Sequence, residues 1–191
     1  PEERLTAGEG TETPSSFSPD GTLLAFSRDS GATGADIRVV PLDGDRTPQD
    51  VIVAEGDQRG AQFSPDGRWV AYVSDESGAL EVYVTAFPSG QGKTRVSSDG
   101  GLFPRFRKDG KELFYITPDG RLMVAAVKPS AAAFDVGPGQ LLFQTPAVPG
   151  PGPPYVVSPD GQRFLINSTV PSTDPPSLSI VFNWPALIPR K

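Results

Sequence analysis

Short apolar runs, separated by polar turns, recur along this chain of 191 residues. The runs are rich in Val, Ile, Leu, Phe and Tyr, which favour strands, and the segments between them contain Gly, Pro, Asp and Ser. No window of about 11 residues shows the sustained apolar spacing of three and four that a helix requires. The pattern therefore predicts an all-β protein with strands at 23–26, 69–73, 112–116 and 163–166. These are interpreted as the second strands of their sheets, largely buried on both faces.

A turn sequence precedes each of these four strands and repeats in phase with them. Residues 17–21 and 63–67 both read Phe-Ser-Pro-Asp-Gly, residues 106–110 read Phe-Arg-Lys-Asp-Gly, and residues 157–161 read Val-Ser-Pro-Asp-Gly. The four strings start 46, 43 and 51 residues apart, which is the period of a propeller blade. Another Pro-Asp-Gly, at 118–120, lies out of phase and predicts an ordinary hairpin turn.

The aspartates of these turns are interpreted as turn residues and not as ligands or catalysts. Each stands beside the glycine that its turn requires, and Asp accepts hydrogen bonds from nearby backbone N–H groups. They are distributed one per turn, so the sequence gives no reason to pair them. We expect no metal and no cofactor. The residues concerned are Asp20, Asp66, Asp109, Asp119 and Asp160.

Further strands make each repeat a four-stranded meander. Third strands are predicted at 36–40, 81–84, 122–127 and 178–182, and fourth strands at 50–53, 93–96 and 140–143. The last repeat has no fourth strand of its own, whereas residues 3–6 occupy the fourth-strand phase ahead of the first repeat. We therefore expect the N-terminal strand to close the last blade, which would protect the sheet edges.

The prediction is a single β-propeller domain of four four-stranded antiparallel blades. The blades span about 10–54, 58–97, 101–145, and 153–184 together with 2–7. The segment 128–154, rich in Ala, Gly and Pro, is interpreted as surface loops around one strand. The alternative for this segment is a linker between two domains.

Composition narrows the function. Seventeen basic and 23 acidic residues give a net charge of −6 without a local basic run, so we expect no nucleic-acid partner. The chain contains no His and no Cys, which removes Ser-His-Asp triads, imidazole ligands and thiolate chemistry. We therefore expect that it is not an enzyme, and a carboxylate pair is the remaining alternative. No apolar stretch is long enough to predict membrane insertion by this segment.

The repeated Phe-Ser-Pro-Asp-Gly string, followed by an apolar strand and later by Glu81-Val82-Tyr83-Val84, resembles the TolB-type propeller repeat. Such repeats occur in periplasmic TolB, in prolyl-oligopeptidase-like enzymes and in extracytoplasmic regions of bacterial serine/threonine kinases. Residues 180–184 are similar to the ends of the last group. The resemblance implies a periplasmic or extracytoplasmic location. These propellers commonly have six or more blades, which leaves three alternatives: a closed four-bladed ring, half of a two-chain eight-bladed ring, or part of a larger propeller.

Residues just ahead of each opening strand are the candidates for a binding surface, because propeller loops there turn toward the central channel. They combine one carboxylate, one cation and two aromatic rings, and aromatic residues are favoured anchors at interfaces. The simpler interpretation is that the two rings only fill a narrow channel. The candidates are Glu12, Thr13, Gln58, Arg59, Leu102, Phe103 and Tyr155, with Pro153 beside the last.

These features favour a non-catalytic propeller that binds a protein or peptide on its channel face, as a scaffold or as the sensor region of a larger protein. One alternative is an accessory propeller that gates or selects substrates for a hydrolase. Another is a self-assembling structural fragment, including a homodimer. One fold hosts many activities, so the repeat itself does not decide between these functions.

Overall fold

The structure is a computed structural model that describes residues 3–29, 31, 34–130, 133–145 and 152–168. All regular secondary structure in these ranges is β, in 15 strands that form four antiparallel sheets. The described residues include no helix that could span a membrane. The predicted all-β class is confirmed.

The first two sheets are four-stranded meanders, as predicted. Sheet 1 contains β1 (Thr11–Phe17), β2 (Leu23–Asp29), β3 (Ala35–Pro41) and β4 (Gln49–Ile52), paired in that order. Sheet 2 repeats the arrangement with β5 (Gln58–Phe63), β6 (Trp69–Ser74), β7 (Glu81–Ala86) and β8 (Thr94–Arg95). The turns at Asp20-Gly21 and Asp66-Gly67 connect the opening strand of each sheet to its second strand.

Sheet 3 has the same meander with a divided fourth position. Its strands are β9 (Leu102–Phe106), β10 (Glu112–Ile116), β11 (Arg121–Pro129), β12 (Phe134–Val136) and β13 (Gln140–Gln144). The long β11 pairs with β12 along one part of its length and with β13 along another. The prediction of one strand within 128–154 was therefore incomplete. The second, β12, forms because its Phe134 is buried against Trp69 and Phe106, with ring centroids 5.1 and 6.2 Å away.

The described part of sheet 4 contains β14 (Tyr155–Val157) and β15 (Phe164–Ile166). The predicted third strand at 178–182 and its pairing with the N-terminal segment lie outside the described residues. Residues 3–8 form no strand; Glu3 pairs with Arg46 at 2.6 Å and the Thr6 hydroxyl donates to the Glu12 carboxylate. Closure of the last blade by this segment stays a prediction.

A serine and an aspartate hold the repeated turn together. In sheet 1 the Ser18 hydroxyl donates to the Asp20 carboxylate at 2.6 Å and accepts the Leu23 N–H at 2.9 Å. Ser64 does the same in sheet 2, donating to Asp66 and accepting from the Trp69 N–H at 3.0 Å. The turn role predicted for these aspartates is confirmed by their hydrogen bonds.

The turn of sheet 3 lacks the serine and uses an arginine in its place. Arg107 Nε donates to Asp109 Oδ1 at 2.7 Å, and the same oxygen accepts the Lys111 N–H at 3.0 Å. The Arg107 guanidinium, by hydrogen bond and charge, lowers the pKa of Asp109 to about 2. The departure from Ser-Pro in the third repeat is therefore compensated by charge.

Apolar residues fill the space between neighbouring sheets. Ala25, Ile37 and Val39 of sheet 1 pack against Val70 and Tyr72 of sheet 2. The opposite face of sheet 2 packs against sheet 3, and Tyr155 of sheet 4 packs against sheet 3. Every residue of β6 is buried, as predicted for second strands, because β6 has a neighbouring sheet on both faces.

The second strand of sheet 4 departs from this prediction. Leu165 is 75% exposed and its cross-strand partner Val156 is 53% exposed. Both lie on the face opposite Tyr155 and Phe164, which are directed toward sheet 3. Burial on both faces was therefore wrong for this strand, since its outer face is apolar and open to solvent.

We expect Ser64→Ala to destabilise the protein by about 1–3 kcal/mol, because the buried backbone N–H of Trp69 and the Asp66 carboxylate both lose a hydrogen-bond partner. Ser77→Ala is the matched control, since the exposed Ser77 hydroxyl makes one long bond among the described residues, to the Ala79 carbonyl at 3.4 Å. Urea unfolding followed by tryptophan fluorescence measures both changes. Equal midpoints for the two variants would contradict the structural role of the turn serine.

Candidate functional site

A cavity of about 550 Å³ lies where the opening strands of the sheets approach one another. Thr13 and Ser15 of β1 line it, together with Arg59 of β5 and Phe103 and Arg105 of β9. The segment ahead of β14 contributes Gly152 and Pro153. Sheets 1, 2 and 3 and the segment that leads into sheet 4 therefore form one concave surface, as expected for the channel mouth of a propeller.

Backbone bulges shape the walls of this cavity. The strand register shifts at Pro14–Ser16 in β1, between Arg59 and Gln62 in β5, and opposite Phe114–Ile116 in β9. A bulge inserts an extra residue and redirects the side chains around it, and bulges are frequent beside functional sites. The extra residues turn the cavity-lining side chains away from the regular alternation of the strands.

One bulge position requires a left-handed backbone. Gly60 has φ +65°, and Phe103, which stands the same three residues ahead of its turn phenylalanine, has φ 54°. Glycine adopts this conformation freely, whereas a bulky side chain is strained in it. The Tyr155 hydroxyl donates to the Phe103 carbonyl at 2.8 Å and so supports the strained bulge of β9.

The structure brings together four of the seven candidate residues predicted from sequence. Thr13, Arg59, Leu102 and Phe103 all line the cavity, as does Pro153. Glu12, Gln58 and Tyr155 are not among the lining residues and make structural contacts instead.

The Glu12 side chain forms an ion pair with Arg28 within sheet 1. Its carboxylate accepts a hydrogen bond from Arg28 Nε at 2.7 Å and another from the Thr6 hydroxyl. Burial raises the pKa of Glu12, but the bonds from Thr6 and Arg28 outweigh it and hold that pKa below its usual value. The side chain is thus an ionised partner of Arg28.

Gln58 and Tyr155 are both buried. The Gln58 amide donates to the Glu55 carbonyl at 3.0 Å, inside the protein. Tyr155 packs between sheets 3 and 4 against Phe114, and burial raises the pKa of its hydroxyl. Of the two rings interpreted as a channel plug, Tyr155 is therefore a core residue, whereas Phe103 faces the cavity.

An ion cluster that the sequence analysis did not identify forms one part of the wall. Arg59 Nη2 lies 2.8 Å from Asp57 Oδ2 and 3.8 Å from Asp29 Oδ2. Asp57 also accepts the Ala35 N–H at 3.0 Å, which links sheets 1 and 2. Burial raises the pKa of Asp57, but the bonds from Ala35 and Arg59 outweigh it, so the pKa is lowered overall. Both aspartates are already engaged by one guanidinium.

Arg105 is the other cationic residue of the wall and was also missed. Its Nη1 donates to Gln62 Oε1 at 2.8 Å and to the Pro104 carbonyl at 2.9 Å. Burial lowers the pKa of this guanidinium. Arg105 stands one residue ahead of the turn phenylalanine Phe106, so aligning the repeats at this position would have placed it beside the channel.

Comparisons with known proteins show the fold. No family model matches the chain, and no curated protein matches it. Among solved structures, TolB from Acinetobacter baumannii matches 85% of the chain at 23% identity with a TM-score of 0.64. A putative TolB from Agrobacterium tumefaciens matches 73% at 21% identity with a TM-score of 0.59. The chain therefore has the TolB-type β-propeller fold.

A peptidase also has a similar domain. The puromycin-hydrolysing peptidase of Mycobacterium tuberculosis matches 76% of the chain at 23% identity with a TM-score of 0.53. The matched regions cover 39% of the Acinetobacter protein, 51% of the Agrobacterium protein and 26% of the peptidase. The chain thus spans about half, or less, of the length of these proteins.

We expect Tyr155→Phe to lower the free energy of unfolding by about 1–2 kcal/mol, because the Phe103 carbonyl loses its hydrogen-bond donor at the strained bulge of β9. Tyr83→Phe is the control. The Tyr83 side chain is also buried, but its hydroxyl makes no hydrogen bond to the described residues. Urea unfolding of both variants provides the measurement. A larger loss of unfolding free energy for Tyr83→Phe than for Tyr155→Phe would show that the Tyr155 hydroxyl does not stabilise the bulge of β9.

Proposed function

We propose that this propeller is a non-catalytic binding module that holds a peptide segment of a partner protein in the cavity at its channel mouth. The observation that supports the proposal is the cavity itself, which is lined by sheets 1, 2 and 3 and by the segment that leads into sheet 4. Its volume of about 550 Å³ lies within the range of about 300–1,000 Å³ typical of ligand sites.

The chemistry of the wall suits a peptide. Leu102, Phe103 and Pro153 offer apolar surface for side chains. Thr13 offers a hydroxyl to a peptide backbone, and the Ser15 oxygen can accept a hydrogen bond from a peptide N–H. Peptide recognition generally combines backbone hydrogen bonding with apolar pockets for side chains. A small polar metabolite would leave the apolar part of this wall unused.

The same wall gives little support to catalysis. The Ser15 hydroxyl donates to the Ala25 carbonyl at 3.0 Å, so its proton is already engaged by the backbone. Asp29 and Asp57 both pair with Arg59, and the bonds from Ala35 and Arg59 hold the pKa of Asp57 below its usual value. A nucleophile needs an adjacent base, and a general acid needs a proton to give. We therefore favour binding, in a periplasmic or extracytoplasmic setting, as the scaffold or sensor region of a larger protein.

We expect Thr13→Trp to weaken peptide binding. Thr13 is an exposed side chain that lines the cavity, so an indole there fills the cavity with little cost to the fold. The probe is a peptide selected on the wild-type protein from a bead library of random octapeptides, and its Kd should rise at least about tenfold. Thr47→Trp, at an exposed turn of sheet 1, is the control and should leave the Kd unchanged. Equal affinities for the two variants would refute binding in this cavity.

An accessory propeller of a hydrolase is a second candidate, and the similarity to the puromycin-hydrolysing peptidase supports it. In that case the cavity would admit or select substrates for a catalytic domain. Fusion of the chain to a hydrolase domain in its parent gene would favour this candidate over the scaffold.

Self-association is a third candidate, favoured by the open face of sheet 4. Val156 and Leu165 are both more than half exposed on that face, and the occupant we propose is a second copy of the chain. The chain matches 51% of the length of one TolB structure, so two copies would approach the size of that protein. This arrangement corresponds to the two-chain ring.

We expect light scattering to show a concentration-dependent doubling of mass that Leu165→Glu abolishes, because a buried charge opposes association. Leu141→Glu, at an exposed leucine of β13, is the control and should not change the mass. A wild-type protein that stays monomeric at every concentration would exclude the two-chain ring.

A further inference from the structure

Three equivalent residues of the repeat form a hydrogen-bonded line across sheets 1, 2 and 3. Ser16, Gln62 and Arg105 each stand one residue ahead of the turn phenylalanine of their sheet. Arg105 Nη1 donates to Gln62 Oε1 at 2.8 Å, and Gln62 Nε2 donates to Ser16 Oγ at 3.1 Å. In sheet 4 the equivalent residue is Val156, which has no polar side chain to continue the line. Arg105 is therefore its last polar member.

Arg105 lacks the carboxylate partner that comparable arginines have. Among the described residues, every other arginine that is partly buried forms a salt bridge with Asp or Glu, whereas the acceptors of Arg105 are a side-chain amide and a backbone carbonyl. Both bonds use Nη1. The remaining N–H groups of the guanidinium make no hydrogen bond within the described part of the chain.

A guanidinium in this position is suited to a carboxylate. It stays charged at any physiological pH and presents its donors in a planar fork that matches two carboxylate oxygens. Partial burial removes part of its hydration, which an incoming anion replaces with charge-assisted hydrogen bonds. Arg105 also lines the cavity beside Phe103, so a ligand in the cavity can reach it.

The charges of the wall do not oppose such a ligand. Asp29 and Asp57 are the acidic residues that line the cavity, and both are paired with Arg59. Two arginines and two aspartates make the wall formally neutral, although the chain as a whole has a net charge of −6. The cluster of Arg59, Asp29 and Asp57 has a formal charge of −1 and Arg105 a charge of +1, so a carboxylate is attracted where it contacts the Arg105 guanidinium directly.

We propose that Arg105 binds a carboxylate of the peptide segment that occupies the cavity. The proposal rests on the proposed function and makes it more specific: the partner segment presents an acidic side chain or a C-terminal carboxylate to sheet 3. Arg105 is in this view the residue that determines specificity, and the ion cluster of Arg59 is part of the framework.

Three bead libraries of random octapeptides distinguish the sources of the carboxylate. One has a free C-terminus and no Asp or Glu, one is amidated and contains Asp and Glu, and one is amidated without either. The wild-type protein should select from one of the first two libraries in preference to the third. Selection from the first identifies a C-terminal carboxylate, and selection from the second identifies an acidic side chain.

For the selected peptide, we expect Arg105→Gln to raise the Kd by about tenfold to a hundredfold, the range for a hydrogen bond to a charged group. Arg105→Lys keeps the positive charge but not the planar fork of donors, so its Kd should lie between those of Arg105→Gln and the wild type. Arg95→Gln removes one positive charge from an exposed position of β8 and should leave the Kd unchanged. If the three libraries bind equally, or if Arg105→Gln has no effect, the carboxylate assignment is wrong while peptide binding itself stands.

A probe without a peptide separates this inference from the proposed function. Phenylacetate is titrated against ¹⁵N-labelled protein, and the Arg105 Nε–H resonance is assigned by its loss in Arg105→Gln. We expect phenylacetate, but not the neutral phenylacetamide, to shift this resonance. A shift in a protein that binds no library would retain the carboxylate site and refute peptide binding. An unchanged resonance at saturating concentrations would overturn the inference.

Discussion

The packing of each sheet against its neighbour is the constraint on which the rest of this structure depends. Sheet 2 shows it best: Tyr72 and Tyr83 face sheet 1, whereas Trp69 and Val82 face sheet 3. A strand that is buried on both faces must find an apolar surface on each side, so the sheets can only stack face to face. Since strands twist in one direction, such stacking brings the opening strands together at one end, where the cavity forms.

The cavity is therefore a consequence of the stacking, but its chemistry comes from irregularities in the strands. In a regular strand, side chains alternate between the two faces of the sheet, so those of the opening strands would point toward the neighbouring sheets. The bulges in β1, β5 and β9 break that alternation where the strands meet the cavity. The strain of Phe103 at φ 54° is tolerated because Tyr155, buried between sheets 3 and 4, donates to its carbonyl. Core packing thus holds the site in position.

The turns and strands were predictable because their signals are local. The Ser-Pro-Asp-Gly string contains both partners of the Ser18–Asp20 hydrogen bond and the glycine with positive φ. The strand β12 was not predicted, because Phe134 stands in a segment of Ala, Gly and Pro and is buried only through contacts with Trp69 and Phe106. The formation of β12 therefore depends on tertiary contacts, which leave no local pattern in the sequence.

The candidate site was predictable only in part for the same reason. Position before the opening strand identified Thr13, Arg59, Leu102 and Phe103, which line the cavity. It could not separate them from Gln58 and Tyr155, because a bulge decides which side chain faces the core. The bond of Arg105 to Gln62 and the approach of Arg59 to Asp29 join different sheets, so no spacing within one repeat reveals them and only an alignment of the repeats would have indicated Arg105.

The open face of sheet 4 follows from the same packing constraint. Burial of a leucine or valine side chain contributes about 1.5–3 kcal/mol, so covering Val156 and Leu165 would contribute several kcal/mol to a domain whose net stability is typically about 5–15 kcal/mol. That gain is large enough to favour any arrangement that covers the face with apolar surface.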